Sequence, residues 1–400
     1  MTATTEHPLR LVYLLFLGAT VASFLYCLVL SQFNGDFFPH PVFLPAGALT
    51  FVLFLSLLPY LVLWRIAGVI ERLKPRAVFA VRDAPLIVLF AGVLGAHISV
   101  TMLFGVGVMD QETYQAPALI QPFIQVLNRI DPFYVGAFFI LATRKHAGTD
   151  LVAAGLMIAV GFLRAGLGAF TYVFIAFMAK YHREIIATYR KAPWLILGAL
   201  PVVPFTIGAL YRLRGQLRGD LGSDLTIWEL VFGRFIGRLS SYSNFAYIQQ
   251  YERSFQWASS ALESLYFFKQ GMVSMLGSKM SPLITPERVL ISGNSAYDGN
   301  STFMTGIPGN LFMSWNVSPF DFVVTLSLIL ATVVGILWLS RFLENGVARY
   351  FGLAMLFYPI TSGVANEFAL LFINTAFITG FCLIFRQRPA ISTDSRREPT

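Results

Sequence analysis

The sequence predicts an all-α polytopic membrane protein, and three observations carry that expectation. Hydrophobic residues make up 56% of the 400 and charged residues only 12%, about half the charge of a soluble domain. Mean hydropathy is +0.66, and apolar runs near 20 residues recur, each long enough as a helix to cross a hydrocarbon layer of about 30 Å. The loops between the runs alternate between basic and base-free. That alternation fixes orientation, because short loops rich in Lys and Arg stay in the cytoplasm. The net charge of +8 is therefore assigned to cytoplasmic loops and implies no nucleic-acid partner. Cys27 and Cys382 both sit in apolar runs, so no disulfide framework is expected.

The first run, 11–30, is too long for a signal-peptide core and reads as a retained span. The loop at 31–41 has no Lys or Arg and is expected outside. The second run, 42–64, leads into a loop with Arg65, Arg72, Lys74, Arg76 and Arg82, which is cytoplasmic by the same rule. Spans three and four follow at 85–108 and 118–143, the fourth ending on Arg144 and Lys145. The stretch 151–178 is flanked by basic residues on both sides and interrupted by Arg164. Two half-length helices of about 21 Å each, with Arg164 at the outer turn, satisfy the charge rule. A second such hairpin is expected over 350–385, between Arg349 and Arg386, with its outer tip at 361–368. Spans at 192–210 and 322–339 bring the expected total to about ten. The resulting division is 1–210 for spans one to seven, 211–321 for one large outer segment, 322–385 for spans eight to ten and 386–400 for a cytoplasmic tail.

The outer segment gathers Arg212, Arg214, Arg218, Arg234 and Arg238, with no lysine among them. Arginines at a membrane surface can simply snorkel to head groups. Arginine without lysine points instead to planar, bidentate recognition of an anion. Ser223 or Asp224 is the expected cap of a helix carrying Arg234 and Arg238 on one face. A second helix is expected over 258–276, and loop from there to 310, where Gly, Asn, Ser and Pro dominate. Arg164, a charge between apolar helices, requires a partner. Arg129 and Asp131, close in the chain, are candidates to pair with each other.

Three stretches resemble one family. "GFLRAGLGAFTYVFIAFMAKYHRE" is similar to an arginine-bearing outer turn running into a helix with a basic end. "GRFIGRLSSYSNF" resembles the arginine-bearing start of a large outer loop, and "TGIPGNLFMSWNVSPFDFVV" resembles the lead into the next span. With the topology, they look like the O-antigen polymerases of bacterial inner membranes, relatives of the O-antigen ligases and peptidoglycan polymerases. The resemblance implies a metal-independent glycosyltransferase of lipopolysaccharide biosynthesis that acts at the periplasmic face without a cofactor. Its donor and acceptor are oligosaccharide repeat units on undecaprenyl pyrophosphate. Its partners are membrane lipid and a chain-length regulator protein.

On that reading Arg164, Arg212, Arg214, Arg218, Arg234 and Arg238 bind the donor pyrophosphate and stabilise its charge as it leaves. A carboxylate takes the acceptor proton. Glu252, beside Arg253, is the first expectation for it and Asp298 the second; Glu367, at the tip of the last hairpin, faces the same side, where structural pairing is the expected role. All five histidines lie outside the large segment, which departs from the ligases. An O-antigen ligase remains an alternative, and two further ones stand beside it. One is a transferase using a lipid-phosphate sugar and an acid in the first outer loop, where "NGDFFPHP" offers Asp36. The other is a flippase for lipid-linked sugars, which calls for internal repeats that this sequence does not display.

Overall fold

The computed structural model describes residues 7–72, 79–108, 116–164, 168–194, 198, 202–217, 225–259, 262–276, 304–343 and 347–386. Among the described residues the chain is helical, with no strand beyond isolated bridges at Gln32–Pro41 and Phe79–Leu343. Five helices are long and apolar enough to cross a membrane: α1 (Arg10–Leu30), α2 (Ala46–Arg72), α3 (Asp83–Phe104), Pro319–Ser340 and Ala365–Ile384. Large apolar side chains on their outer faces are bare, Val88 and Leu103 at 72% exposure each. Lipid is the solvent that tolerates such a surface. Helix α2 continues to Arg72, eight residues past the expected end at Trp64.

The expected fourth span is not one helix. It divides into α4 (Gln121–Leu127) and α5 (Pro132–Ala142). Pro132 disfavours helical backbone at Asp131, and the Asp131 carboxylate caps α5 by accepting from Phe133 N at 2.7 Å. Asn374 satisfies the interrupted backbone, donating to Arg129 O at 3.1 Å and accepting from Asp131 N at 2.9 Å. The apolar stretch after it is divided at Arg164 into α6 (Ala147–Leu163) and α7 (Gly168–Lys180). Next come α8 (His182–Lys191) and α9 (Val202–Leu217). Arg212 thus extends an apolar helix past the expected boundary at 210.

The α-helix expected over 223–239 starts from a different cap and has a different pitch. Thr226 and Glu229 form a reciprocal capping box. Thr226 N and Oγ1 each donate to Glu229 Oε2 at 2.8 Å, and Glu229 N donates back to Thr226 Oγ1 at 3.3 Å. Those bonds hold the Glu229 carboxyl below its usual range. Ser223 and Asp224 lie outside the described residues. Glu229–Phe235 is a π-helix, followed by α10 (Ile236–Arg238). Then come α11 (Tyr242–Gln250), α12 (Glu252–Ser259) and α13 (Tyr266–Leu276). The helix expected over 258–276 is broken because the Asp321 carboxylate captures Leu265 N and, at 3.2 Å, Ser264 Oγ. Part of the expected loop is also helical, since α14 spans Gly306–Val317. Asn310 ties it down, donating to Gly363 O and accepting from Tyr266 Oη at 3.0 Å.

Helix α15 (Pro319–Ser340) is capped by Ser318, whose Oγ accepts from Asp321 N at 3.0 Å. The last hairpin has a broken first arm, α16 (Phe351–Met355) and α17 (Phe357–Ser362), and a continuous second arm, α18 (Ala365–Ile384). Gly363 at φ +73° makes the turn, with Gly306 O pressed against it. One buried ion pair fixes α6 to α7. Lys180 Nζ lies 2.7 Å from Asp150 Oδ2, with both side chains at most 2% exposed, and Tyr181 Oη adds a bond at 2.6 Å. Breaking one side of such a pair strands a buried charge. Asp150→Asn is expected to cost about 3–5 kcal/mol, read as an earlier thermal unfolding midpoint in detergent. The double change Asp150→Leu/Lys180→Met recovers most of it.

Candidate functional site

Two polar centres lie between the long helices, each built around an arginine. The first joins the α1–α2 loop to the π-helix. Asn34, Gly35 and Asp36 form a tight turn, with Gly35 at φ +74°. The turn is pinned from both sides: Asn34 N donates to Ser243 Oγ at 2.9 Å and Asn34 Nδ2 to Ser23 Oγ at 3.2 Å. Gly237 faces Gly35 so closely that any Cβ there overlaps the Gly35 backbone. The close approach delivers Asp36, 4% exposed, to Arg238. Arg238 donates to Asp36 Oδ1 from Nε at 3.1 Å and from Nη2 at 2.7 Å, and Asn244 Nδ2 donates to Oδ2 at 2.8 Å. The Arg238 side chain keeps 24% exposure. Arg234 packs over the Phe38 ring at 5.7 Å. Both arginines of the π-helix segment therefore face the same loop, as a shared helix face predicts. π-Helical turns often mark functional positions.

The second centre holds Arg164. Its Nη2 lies 2.6 Å from His97 Nδ1, and Nε donates to Thr101 Oγ1 at 3.4 Å. His97 Nε2 contacts Ile130 O at 2.7 Å, which assigns the proton to Nε2 and leaves Nδ1 to accept from Arg164. Gly107, at φ +79°, lies against the guanidinium. Asp131 is within electrostatic range of Arg164. The expected Arg129–Asp131 pair does not form, because Asp131 is committed to capping α5 and to Arg164's field.

A band of hydroxyls and carboxyls connects the two centres. Tyr358 interacts electrostatically with Arg238, Asp131 and Glu367. Tyr134 and Tyr172 interact with Asp131 and Glu367 in turn, and their rings meet edge-on at 4.9 Å. The Tyr134 hydroxyl is buried and lacks hydrogen-bond geometry to any partner. The carboxyl of Glu367, half-buried in the first turn of α18, forms neither a hydrogen bond nor an ion pair among the described residues. A carboxyl held among tyrosines without a cation is costly to bury. Its electrostatic neighbours Tyr358 and Asp131 interact in turn with Arg238 and Arg164.

The remaining expected site residues fall elsewhere. Glu252 is exposed, and its Oε1 accepts from Gln256 Nε2 at 3.0 Å. Arg212 is exposed on α9. Asp298, Arg218 and the Arg214 side chain lie outside the described residues. His97 and Asn244 were not singled out from sequence. A histidine in the middle of an otherwise apolar span was the available signal for the first. Among the described residues, no three His, Cys, Asp or Glu side chains are grouped to hold a metal ion. In comparisons with known proteins, no protein-family model, no curated protein and no solved structure matches this chain.

Proposed function

We propose that this protein is a polymerase of lipid-linked oligosaccharide repeat units. It transfers a glycan from an undecaprenyl-pyrophosphate donor to a second lipid-linked unit at the periplasmic face of a bacterial inner membrane. One observation carries the reading: two anchored arginines, Arg238 and Arg164, are linked through Tyr358 and Asp131 to the carboxyl of Glu367. A pyrophosphate leaving group needs fixed positive charge that strengthens its hold as the bond to the sugar breaks. Arginine held by a carboxylate or imidazole is pre-aimed and loses little on engaging it. The acceptor hydroxyl attacks the donor's anomeric carbon, the bond to the pyrophosphate oxygen breaks, and the proton passes to a carboxylate.

Glu367 suits that last role better than Glu252, because it lies among the arginine-linked groups and Glu252 is exposed. Asp36 already accepts three hydrogen bonds, which makes it the residue that positions Arg238. The same geometry favours, as a second reading, a related transferase that uses a lipid-phosphate sugar and keeps an acid in this first loop. Incubating purified protein with radiolabelled lipid-linked repeat units tests the class. Growth of longer chains with release of the pyrophosphate lipid is expected. Movement of intact substrate between leaflets, with no new glycosidic bond, would replace the transferase by a flippase.

A further inference from the structure

A cleft of about 450 Å³ opens at the end of α2 that carries Arg72. One stripe of α2 lines it, Trp64, Ala67, Gly68, Glu71 and Arg72, and His7 closes its side. Spacings of three and four residues place that stripe on one helix face. The wall is held in place by ring contacts. His7 meets Trp64 edge-on at 4.8 Å and Tyr350 at 4.9 Å, and Trp64 meets Tyr13 at 4.4 Å. Leu9 N donates to His7 Nδ1 at 3.3 Å. That bond assigns the ring proton to Nε2, which donates to Glu71 Oε1 at 3.2 Å. Gly68 forms the floor, and a Cβ built there meets no atom within 4 Å.

The wall carries charges of both signs, and neither is neutralised. His7 reaches Glu71 as a neutral ring, so the carboxylate keeps its charge, and its Oε2 has no partner among the described residues. Arg72, the next residue, is exposed and has no acidic partner among them either. A ligand that answers both carries an ammonium and a phosphate a few bonds apart, each able to form a charge-assisted hydrogen bond. A second, independent feature says where the rest of such a ligand lies. The same stripe of α2 continues toward the middle of the helix through Leu61, Leu58 and Phe54, all exposed. From Phe54 to Leu61 the helix advances about 10 Å, most of the roughly 15 Å that the acyl chains of one leaflet occupy. Trp64 stands at the junction of the polar cleft and the apolar track, the level at which indole rings meet lipid head groups. A soluble zwitterion fills the cleft alone and leaves the track bare.

We propose that this cleft binds a phosphatidylethanolamine, with its ammonium on Glu71, its phosphate on Arg72 and its acyl chains along Leu61, Leu58 and Phe54. The proposal does not depend on the glycosyl-transfer reading. The full-length protein, reconstituted in nanodiscs of equal parts phosphatidylethanolamine, phosphatidylcholine and phosphatidylglycerol, is analysed by native mass spectrometry for retained lipid. Preferential retention of phosphatidylethanolamine is expected. A choline head group has no N–H to donate to Glu71, and phosphatidylglycerol brings no cation to it. Glu71→Gln keeps a partner for His7 and lowers the preference roughly tenfold or more, the scale of one lost charge-assisted bond. Gly68→Leu occupies the open floor without a clash, favours the helix and abolishes the preference. Equal retention of the three lipids, or a preference for phosphatidylglycerol, would overturn the proposal. So would Glu71→Gln and Gly68→Leu variants, both monodisperse on gel filtration, that retain phosphatidylethanolamine as the wild type does.

Discussion

Arg238→Ala is expected to lower polymer formation by roughly ten- to a hundredfold or more, the equivalent of one or two charge-assisted bonds at about 1.5–3 kcal/mol each. The loss has two sources that need separating. On the proposed function, removing the guanidinium takes away a donor to the pyrophosphate; it also leaves Asp36 buried with only Asn244 as partner. An unpaired buried charge lowers stability by about 3–5 kcal/mol, so activity must be normalised to folded protein. Arg238→Lys restores charge without the fork and rescues only partly. The double variant Asp36→Asn/Arg238→Gln removes both charges together. It is expected to unfold near the wild-type temperature and still make no long-chain polysaccharide. If it polymerises normally, the Asp36–Arg238 pair holds the loop in place and contributes nothing to catalysis.

Glu367→Gln is expected to reduce turnover by roughly 10²–10⁴-fold, the usual range for a general base, while the lipid-linked donor still binds. A base acts chiefly in the transition state, so kcat falls and KM changes little. Glutamine fills the same space among Tyr134, Tyr172 and Tyr358, so folding is retained. Glu252→Gln, at an exposed residue bonded to Gln256, is expected to stay within a factor of about two of wild type, as surface substitutions usually do. The reverse ranking would return the role to Glu252. Chain-length ladders on gels, at matched membrane levels of the variants, give both results.

Helix identity and apolar character were legible because lipid-facing helices write themselves as long hydrophobic runs. The runs at 11–30, 85–108 and 322–339 all lie within, or within a few residues of, helices in the structure. The division at Arg164 was legible too, since one charge between two basic flanks admits few arrangements. The break at Asp131 was not, because Asn374, more than 240 residues away, supplies the bonds that make it affordable. The split at Leu265 has the same origin in Asp321. Pitch was equally hidden: Glu229–Phe235 has the spacing of an α-helix in sequence and becomes a π-helix where Gly233 and Gly237 press against Phe38 and Gly35. The site was half legible. Arginine enrichment singled out Arg164, Arg234 and Arg238, but a list of residues does not reveal which acid each one meets. Asp36 lies 202 positions from Arg238, and Glu367 sits at a hairpin tip whose electrostatic neighbours Asp131, Tyr134 and Tyr172 come from α5 and α7.

In the proposed reaction, Arg238, Arg164 and Glu367 act on one bound molecule. A cryo-EM structure with a non-hydrolysable undecaprenyl-pyrophosphate oligosaccharide tests this most directly. The expected density places the two phosphates within hydrogen-bond distance of both guanidiniums and the first sugar beside the Glu367 carboxyl. A pyrophosphate bound away from both guanidiniums, with the space around Glu367 empty, would contradict it.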